Sequence, residues 1–269
     1  MRYAVVVSSP RNYASLFVLR AAESRGEARL VAVAYCEGRD GRTHSRLQWA
    51  KRRWKKLRRI GLLGALNGVR MRTWYGPMLV DRLGCPTLID ACRQANVPLI
   101  RMSSFSDPAA QAQMRDLDLD IAVSLGNGII PREFYTIPRR GMLNIHHELL
   151  PEYRGAQTAL WQLHDGSDST GYSIHEITER LDAGHILLRE RVPIQWRHSL
   201  RETVIDTGAE VQSRSIAGLL RLLEDYTGHE GRAVPNDGKK VYTTPSTRAL
   251  LRIYRNFGRL RRRATLGGA

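Results

Sequence analysis

The sequence predicts an α/β protein with a doubly wound, mostly parallel sheet. Two observations carry this. Short apolar runs alternate with stretches of helical period in a βαβα order, which favours a parallel sheet covered by helices. The chain has 269 residues, 42% of them apolar, enough for a sizeable core in one large domain or one domain with a small appendage.

The elements follow in order. Tyr3–Ser8 reads as a strand, Tyr13–Glu23 as a helix and Leu30–Cys36 as a second strand. Pro77–Ala95 carries a helix, Val97–Met102 is strand-like, Pro108–Arg115 is a short helix and Asp120–Leu125 a strand. Met142–His146 is the next strand, and it places Asn144 and His146 two apart, so both side chains leave one face. In such sheets sites gather at the carboxyl ends of strands. After a Leu149–Gly155 loop, Ala156–His164 reads as a helix, and Gly171–Ile177 and His185–Ile194 as strands flanking the site. Ser199–Tyr226 is a long helix, with Ser199 and Glu202 in a capping-box pattern. Gly238–Tyr242 reads as a short strand leading into a tail helix.

The net charge is +16, but it is concentrated in two places. Residues 41–80 hold eleven Arg or Lys and 239–269 hold nine, with no acid in either, so the remainder sums to −4. Cys36, Cys85 and Cys92 lack metal-type spacing, and their odd number argues against a disulfide framework. The amino terminus reads as a strand and not as a signal peptide, and no stretch is long enough to span a bilayer. The expected location is cytoplasmic, with attachment to the inner face of the membrane as an open addition.

The densest chemistry lies between Gly141 and Leu188. Acyl transfer to an amine needs a donor that polarises the carbonyl, a base for the proton that the amine sheds, and a group that holds the base. Asn144, His146 and Asp182 supply an amide, an imidazole and a carboxylate, and Ala183-Gly184 allows a tight turn after Asp182. Taken singly, each is more often structural. Chance becomes a poor explanation once Leu149-Leu150-Pro151-Glu152-Tyr153-Arg154-Gly155 stands between them and Thr170-Gly171 precedes the second strand.

On these motifs the stretch from Asp120 to Ile194 resembles the formyltransferase family that uses 10-formyltetrahydrofolate, whose core motif runs Asn-x-His, Ser-Leu-Leu-Pro-x-(Tyr/Trp)-(Arg/Lys)-Gly and a distal Asp-x-Gly. The resemblance implies a Rossmann-like formyltransferase fold. It puts the catalytic roles on Asn144, His146 and Asp182, with 10-formyltetrahydrofolate as formyl donor and no metal. Gly128, Ile129 and Ile130 fall on the segment that lines the family's pterin pocket. Ile177, Glu179, Leu181 and Asp182 fall on the loop that closes over it. Tyr153, Arg154 and Gln157 fall on the acceptor side, where Arg154 could pair with a carboxylate or phosphate. The chain departs from the pattern at His147-Glu148, where relatives carry smaller residues. These two either decorate the surface or recognise the acceptor. The turn at Ser8–Asn12 lacks the Gly-rich phosphate cradle, which weakens a purine-pathway reading; Arg11 could still help hold an anion. The other histidines (His44, His164, His175, His198 and His229) read as solvated or core-satisfied, and His185, just after Asp182-Ala183-Gly184, reads first as strand packing and second as a residue near the pocket.

Two basic amphipathic stripes remain, Leu47-Ala50-Trp54-Leu57-Gly61 and Leu250-Tyr254-Phe257-Leu260. Packing with a solvated basic face is the plain reading. Attraction of an anionic substrate, contact with membrane or contact with a polyanion through 42–59 and 248–263 compete with it. The expected organisation is a catalytic domain over 1–235 with a basic helical insertion near 42–75, then a strand and basic amphipathic helix over 236–269 as a short C-terminal extension. The first-ranked acceptor is a small, anionic primary amine, an amino sugar on a nucleotide diphosphate. Methionyl-tRNA ranks second, because the tail is shorter than the tRNA-binding domain of such enzymes. A non-catalytic module on the same scaffold ranks third, and a homodimer is an open expectation.

Overall fold

The computed structural model describes residues 1–38, 46–71, 75–155, 159–238 and 240–266. Nine strands are β1 (Arg2–Val7), β2 (Arg29–Cys36), β3 (Leu99–Met102), β4 (Ile121–Ser124), β5 (Met142–His146), β6 (Arg154–Gly155), β7 (Ser169–Glu176), β8 (Ile186–Pro193) and β9 (Val241–Tyr242) among the described residues. Seven make one sheet in the order β3-β2-β1-β4-β5-β7-β8. The first five strands are parallel, and β7 and β8 add antiparallel to the β5 edge. This is the doubly wound, mostly parallel sheet expected, and the strand order reverses next to β1, where such sheets open a crevice.

β1 shows why the sheet is covered on both faces. Tyr3, Val5 and Val7 point into a core shared with Phe17, Leu88, Val211 and Leu219. Ala4 and Val6 point the other way, toward Met102, Phe105, Met114 and Phe134. The first layer contains α1 (Tyr13–Glu23), with α2 (Arg46–Arg70) and α3 (Gly76–Leu83) following it in the chain, and α4 (Leu88–Ala95) beside α1. α5 (Pro108–Asp116) and α6 (Arg132–Tyr135) cover the second face. α7 (Leu160–Asp165), α8 (Leu200–Glu224), α9 (Tyr226–Glu230) and α10 (Thr247–Leu266) complete the chain.

Several boundaries differ from expectation for local reasons. The Pro77–Ala95 helix is two helices, because Gly84 caps α3 in the left-handed region and Cys85-Pro86 cannot continue it. The helix expected at Ala156–His164 starts at Leu160, and residues 156–158, with Gln157, lie outside those described. Ser199 caps α8, its Oγ accepting from Glu202 N at 3.1 Å, which is the Ser half of the capping box expected there.

The two basic segments pack against each other. α2 breaks at Gly61, whose φ of 73° and ψ of 173° are open to glycine and strained for other residues. A Cβ there would sit 2.5 Å from Thr247 Oγ1 at the start of α10. Thr247 Oγ1 instead donates to the Ile60 carbonyl at 3.2 Å, a group the break removes from the helical ladder. Farther along, α10 buries Leu250, Ile253 and Leu260 in a third cluster with Leu160, Leu163, Ile194 and Val204. β9 pairs in parallel with β6, so the tail is stitched to the loop that follows β5. No described helix is long and apolar enough to cross a membrane.

Candidate active site

β5 delivers Asn144 and His146 at its carboxyl end, and β7 lies beside it with Asn144 opposite His175 and His146 opposite Ser173. The Asn144 amide donates from Nδ2 to His175 Nε2 at 3.2 Å. That assignment follows from the other side of the ring, where His175 Nδ1 donates to the Glu176 carbonyl at 2.8 Å and leaves Nε2 as the acceptor. His146 Nε2 donates to the Tyr153 carbonyl at 2.8 Å. Its Nδ1 lies 3.7 Å from Asp182 Oδ2, while Asp182 Oδ1 lies 3.7 Å from His175 Nε2. His146 thus bonds a backbone carbonyl through one ring nitrogen and turns the other toward the Asp182 carboxylate, beyond hydrogen-bond distance.

Asp182 reaches this position from the loop between β7 and β8. Its φ of 46° is left-handed, a conformation that Asp tolerates better than most residues. Asn236 Nδ2 holds its carbonyl at 2.8 Å. Gly184, two residues on, passes so close to β7 that a Cβ would lie 2.1 Å from the Glu176 carbonyl oxygen.

Burial sets the charges nearby. It lowers His175 to about 4, against the opposing pull of the Glu176 carbonyl and Asp182, so the ring is neutral near pH 7. Burial, reinforced by the His146 charge, lowers His147 to about 3. His147 stacks edge-on against Tyr13 with ring centroids 4.8 Å apart. Burial also pushes the Glu148 carboxyl well above its usual range, although Gln162 Nε2, Thr170 Oγ1 and the Ala159 N–H donate to it.

Two cavities meet at Asn127, Asn144, Leu181 and Asp182. The smaller, about 240 Å³, is walled by Gly128, Ile129, Ile130, Ile177 and Glu179 with Ser124 and His175. Thus the structure brings together every residue that the resemblance placed around a pterin. A flat heteroaromatic ring fits such a pocket, since Ile130 and Ile177 offer apolar walls and Asn127 and Asp182 offer polar edges. The larger, about 1030 Å³, is walled by Arg11, Tyr13, Tyr75, Gln212 and Tyr242, and it also touches His146, His147 and Glu148.

Three expectations need correction. Tyr153 and Arg154 do not line either cavity. Tyr153 orients His146 through its carbonyl, packs on Tyr242 at 5.4 Å and donates its hydroxyl to Asp165 at 3.3 Å. The Arg154 guanidinium is buried and donates to the carbonyls of Leu181 and Gly238, so its fork is occupied by the backbone and does not await an anion. His175, grouped above with the scattered histidines, instead belongs to the constellation. The signal that could have found it is its place opposite Asn144, which depends on strand pairing. Arg11 does reach the larger cavity, while held to Asp81 at 3.1 Å and the Cys85 carbonyl at 2.8 Å. Among the described residues no group of three or more His, Cys, Asp or Glu is arranged to hold a metal ion.

Comparison with known proteins bears on this geometry. A family profile described as "Formyl transferase" matches residues 72–218. Methionyl-tRNA formyltransferase of Stenotrophomonas maltophilia strain R551-3 is 35% identical over 129 residues, covering 46% of this chain and 42% of that protein. The corresponding protein of Deinococcus radiodurans is 38% identical over 115 residues, covering 42% of this chain and 34% of its own. The chain thus matches less than half the length of these curated relatives. Among solved structures, glycinamide ribonucleotide transformylase 1 from Symbiobacterium toebii shares the fold with a TM-score of 0.57 and 18% identity, covering 91% of this chain and 94% of that one. A sugar 3N-formyl transferase solved with dTDP and 5-N-formyl-THF aligns with a TM-score of 0.50 and 12% identity over 90% of this chain and 69% of its own. With the profile spanning more than half of its residues, the chain belongs to the formyl transferase family.

Proposed function

We propose that this protein moves the formyl group of 10-formyltetrahydrofolate to a primary amine of an anionic molecule. The observation that carries the reading is the junction of two cavities at Asn144 and Asp182, one suited to a flat ring and one to a larger acceptor. The folate supplies the formyl group from its N10. Asn144 and protonated His146 stabilise the oxyanion that forms as the acceptor's neutral amine attacks. Asp182 orients His146 and relays the proton that the amine sheds to N10, so that the oxyanion collapses with cleavage of the C–N10 bond and tetrahydrofolate leaves. His175 fixes the Asn144 amide, and Tyr153 fixes the His146 ring.

The favoured acceptor is an amino sugar on a nucleotide diphosphate. The larger cavity has room for a nucleotide, aromatic surfaces at Tyr13, Tyr75 and Tyr242, and Arg11 as a cation. Methionyl-tRNA is the second reading, favoured by the curated sequence relatives. Incubation with 10-formyltetrahydrofolate and a panel of nucleotide-linked amino sugars and charged initiator tRNA separates them. The sugar reading expects tetrahydrofolate release with a sugar amine and a shallow response to salt. Turnover confined to the tRNA, falling steeply with salt, would replace it with the second. No release with any amine would remove formyl transfer itself.

A further inference from the structure

We infer that α2 and α10 form a docking surface for an anionic lipid bilayer. This concerns where the protein works, and it does not rest on the formyl-transfer reading. Before its break, α2 exposes Lys51, Arg53, Lys55, Lys56, Arg58 and Arg59, together with Trp54 at 63% exposure. Beyond the break it exposes Leu62 at 78%, Leu63 at 49%, Leu66 at 45% and Val69 at 44%. The spacing of Leu62, Leu66 and Val69 makes one helical stripe, and Ile60, Gly64, Gly68 and Met71 are buried on the other side. Solvent-facing aliphatic stripes of this length mark an interaction site. Beside it, α10 exposes Leu251 at 61% and Tyr254 at 54% among Arg248, Arg252 and Arg255. Tyr254 shares a cavity with Asn67 and Arg70 of α2, so the two helices present a common surface.

Three partners could cover such a surface, and charge and side-chain type choose between them. A second copy of this chain would set the stretch 41–80, with eleven cations and no acid, against itself, and the like charges would repel. A nucleic acid would accept the cations, but it is bound through stacking aromatics and phosphate contacts and gives Leu62, Leu63, Leu66 and Val69 nothing to bury against. An anionic bilayer uses both features. The cations meet headgroups, the aliphatic stripe enters the acyl boundary, and Trp54 suits the interface between them. In the crease of the break, a groove of about 470 Å³ combines Trp54, Leu57 and Ile60 with Arg53 and Lys56, an apolar floor with a cationic rim. In the chain the surface leads into the larger cavity, whose wall contains Tyr75, Gly76, Pro77, Leu79 and Val80, which follow α2, and Val241, Tyr242, Thr243 and Thr244, which precede α10.

Flotation of the full chain with phosphatidylcholine vesicles, with and without phosphatidylglycerol, tests this. Binding is expected with phosphatidylglycerol and not without it. The double variant Leu62→Ser/Leu66→Ser should partition roughly tenfold more weakly, through lost apolar burial. Lys55→Glu/Lys56→Glu should weaken partitioning at least about tenfold, through lost headgroup attraction. Both pairs are exposed, so circular dichroism and melting should stay at wild-type values. Absence of binding to phosphatidylglycerol vesicles overturns the inference. So does binding that ignores the leucine changes, and in that case tighter association with bulk tRNA than with vesicles would assign the surface to a polyanion.

Discussion

His146 is anchored by its bond to the Tyr153 carbonyl and turns its other ring nitrogen toward Asp182, 3.7 Å away. His146→Ala or Asp182→Asn should therefore lower kcat/KM for formyl transfer by about 10²–10⁴. A loss within about tenfold would mean that neither group handles the proton. His175 makes a separate prediction. Its folded ring is depressed to about 4 from the usual 6.5, so between those values the unfolded chain takes a proton that the folded one refuses. Stability is fully present above the unfolded value and falls as pH drops through that window, and His147 acts in the same sense. Calorimetric melting from pH 7 to 4 should show a shallower decline for His175→Gln than for the wild type. Asn144, His146 and Asp182 were legible in the sequence because two lie two apart on one strand and the third precedes an Ala-Gly turn. His175 was not, because its role comes from being opposite Asn144 across 31 residues of chain. Arg154 was misread because nothing in the sequence tells that backbone carbonyls would fill its fork.

The elements were legible wherever period and punctuation agreed. β1 alternates between two cores as its sequence requires, and Ser199 caps α8 as its spacing with Glu202 requires. The breaks were harder to place. Gly84-Cys85-Pro86 ends α3 within what reads as one helical run, and Gly61 divides α2 where a basic run gives way to an apolar one with no break in the helical period. Gly61 also carries an energetic prediction. Ala at that position meets both the left-handed φ and Thr247 Oγ1 at 2.5 Å. Gly61→Ala should cost roughly 1–3 kcal/mol, read as a lower urea midpoint with an unchanged slope. An unchanged midpoint would mean that the break is not held by its contact with α10.

Across the whole molecule, the doubly wound parallel sheet follows from the alternation of strands and helices, but the closure of the site does not. Residues 241–244 supply wall to the larger cavity, Tyr242 packs on Tyr153 and Trp161, and Trp161 Nε1 donates to the Thr243 carbonyl at 2.9 Å. No local pattern announces that a strand of two residues will pair with one 87 positions earlier. Removing residues 241–266 should therefore cost more than membrane or polyanion contact. Turnover of a soluble amine should fall at least about tenfold, since the cavity loses a wall and the positioned acceptor its fixed geometry. Turnover at the wild-type rate would make the tail an independent appendage.

The fork of Arg154 gives this closure a time dimension. The guanidinium of Arg154, on β6, grips the carbonyl before Asp182 and the carbonyl of Gly238, β6 pairs with β9 just beyond Gly238, and Asn236 holds the Asp182 carbonyl from the same side. Loop and tail therefore share their opening events, and the loop cannot fluctuate faster than the clasp lets go. Anything that settles on α10 and steadies the tail lengthens the intervals for which Asp182 stays beside His146. A surface event far from the chemistry is in this way written into the lifetime of the assembled site.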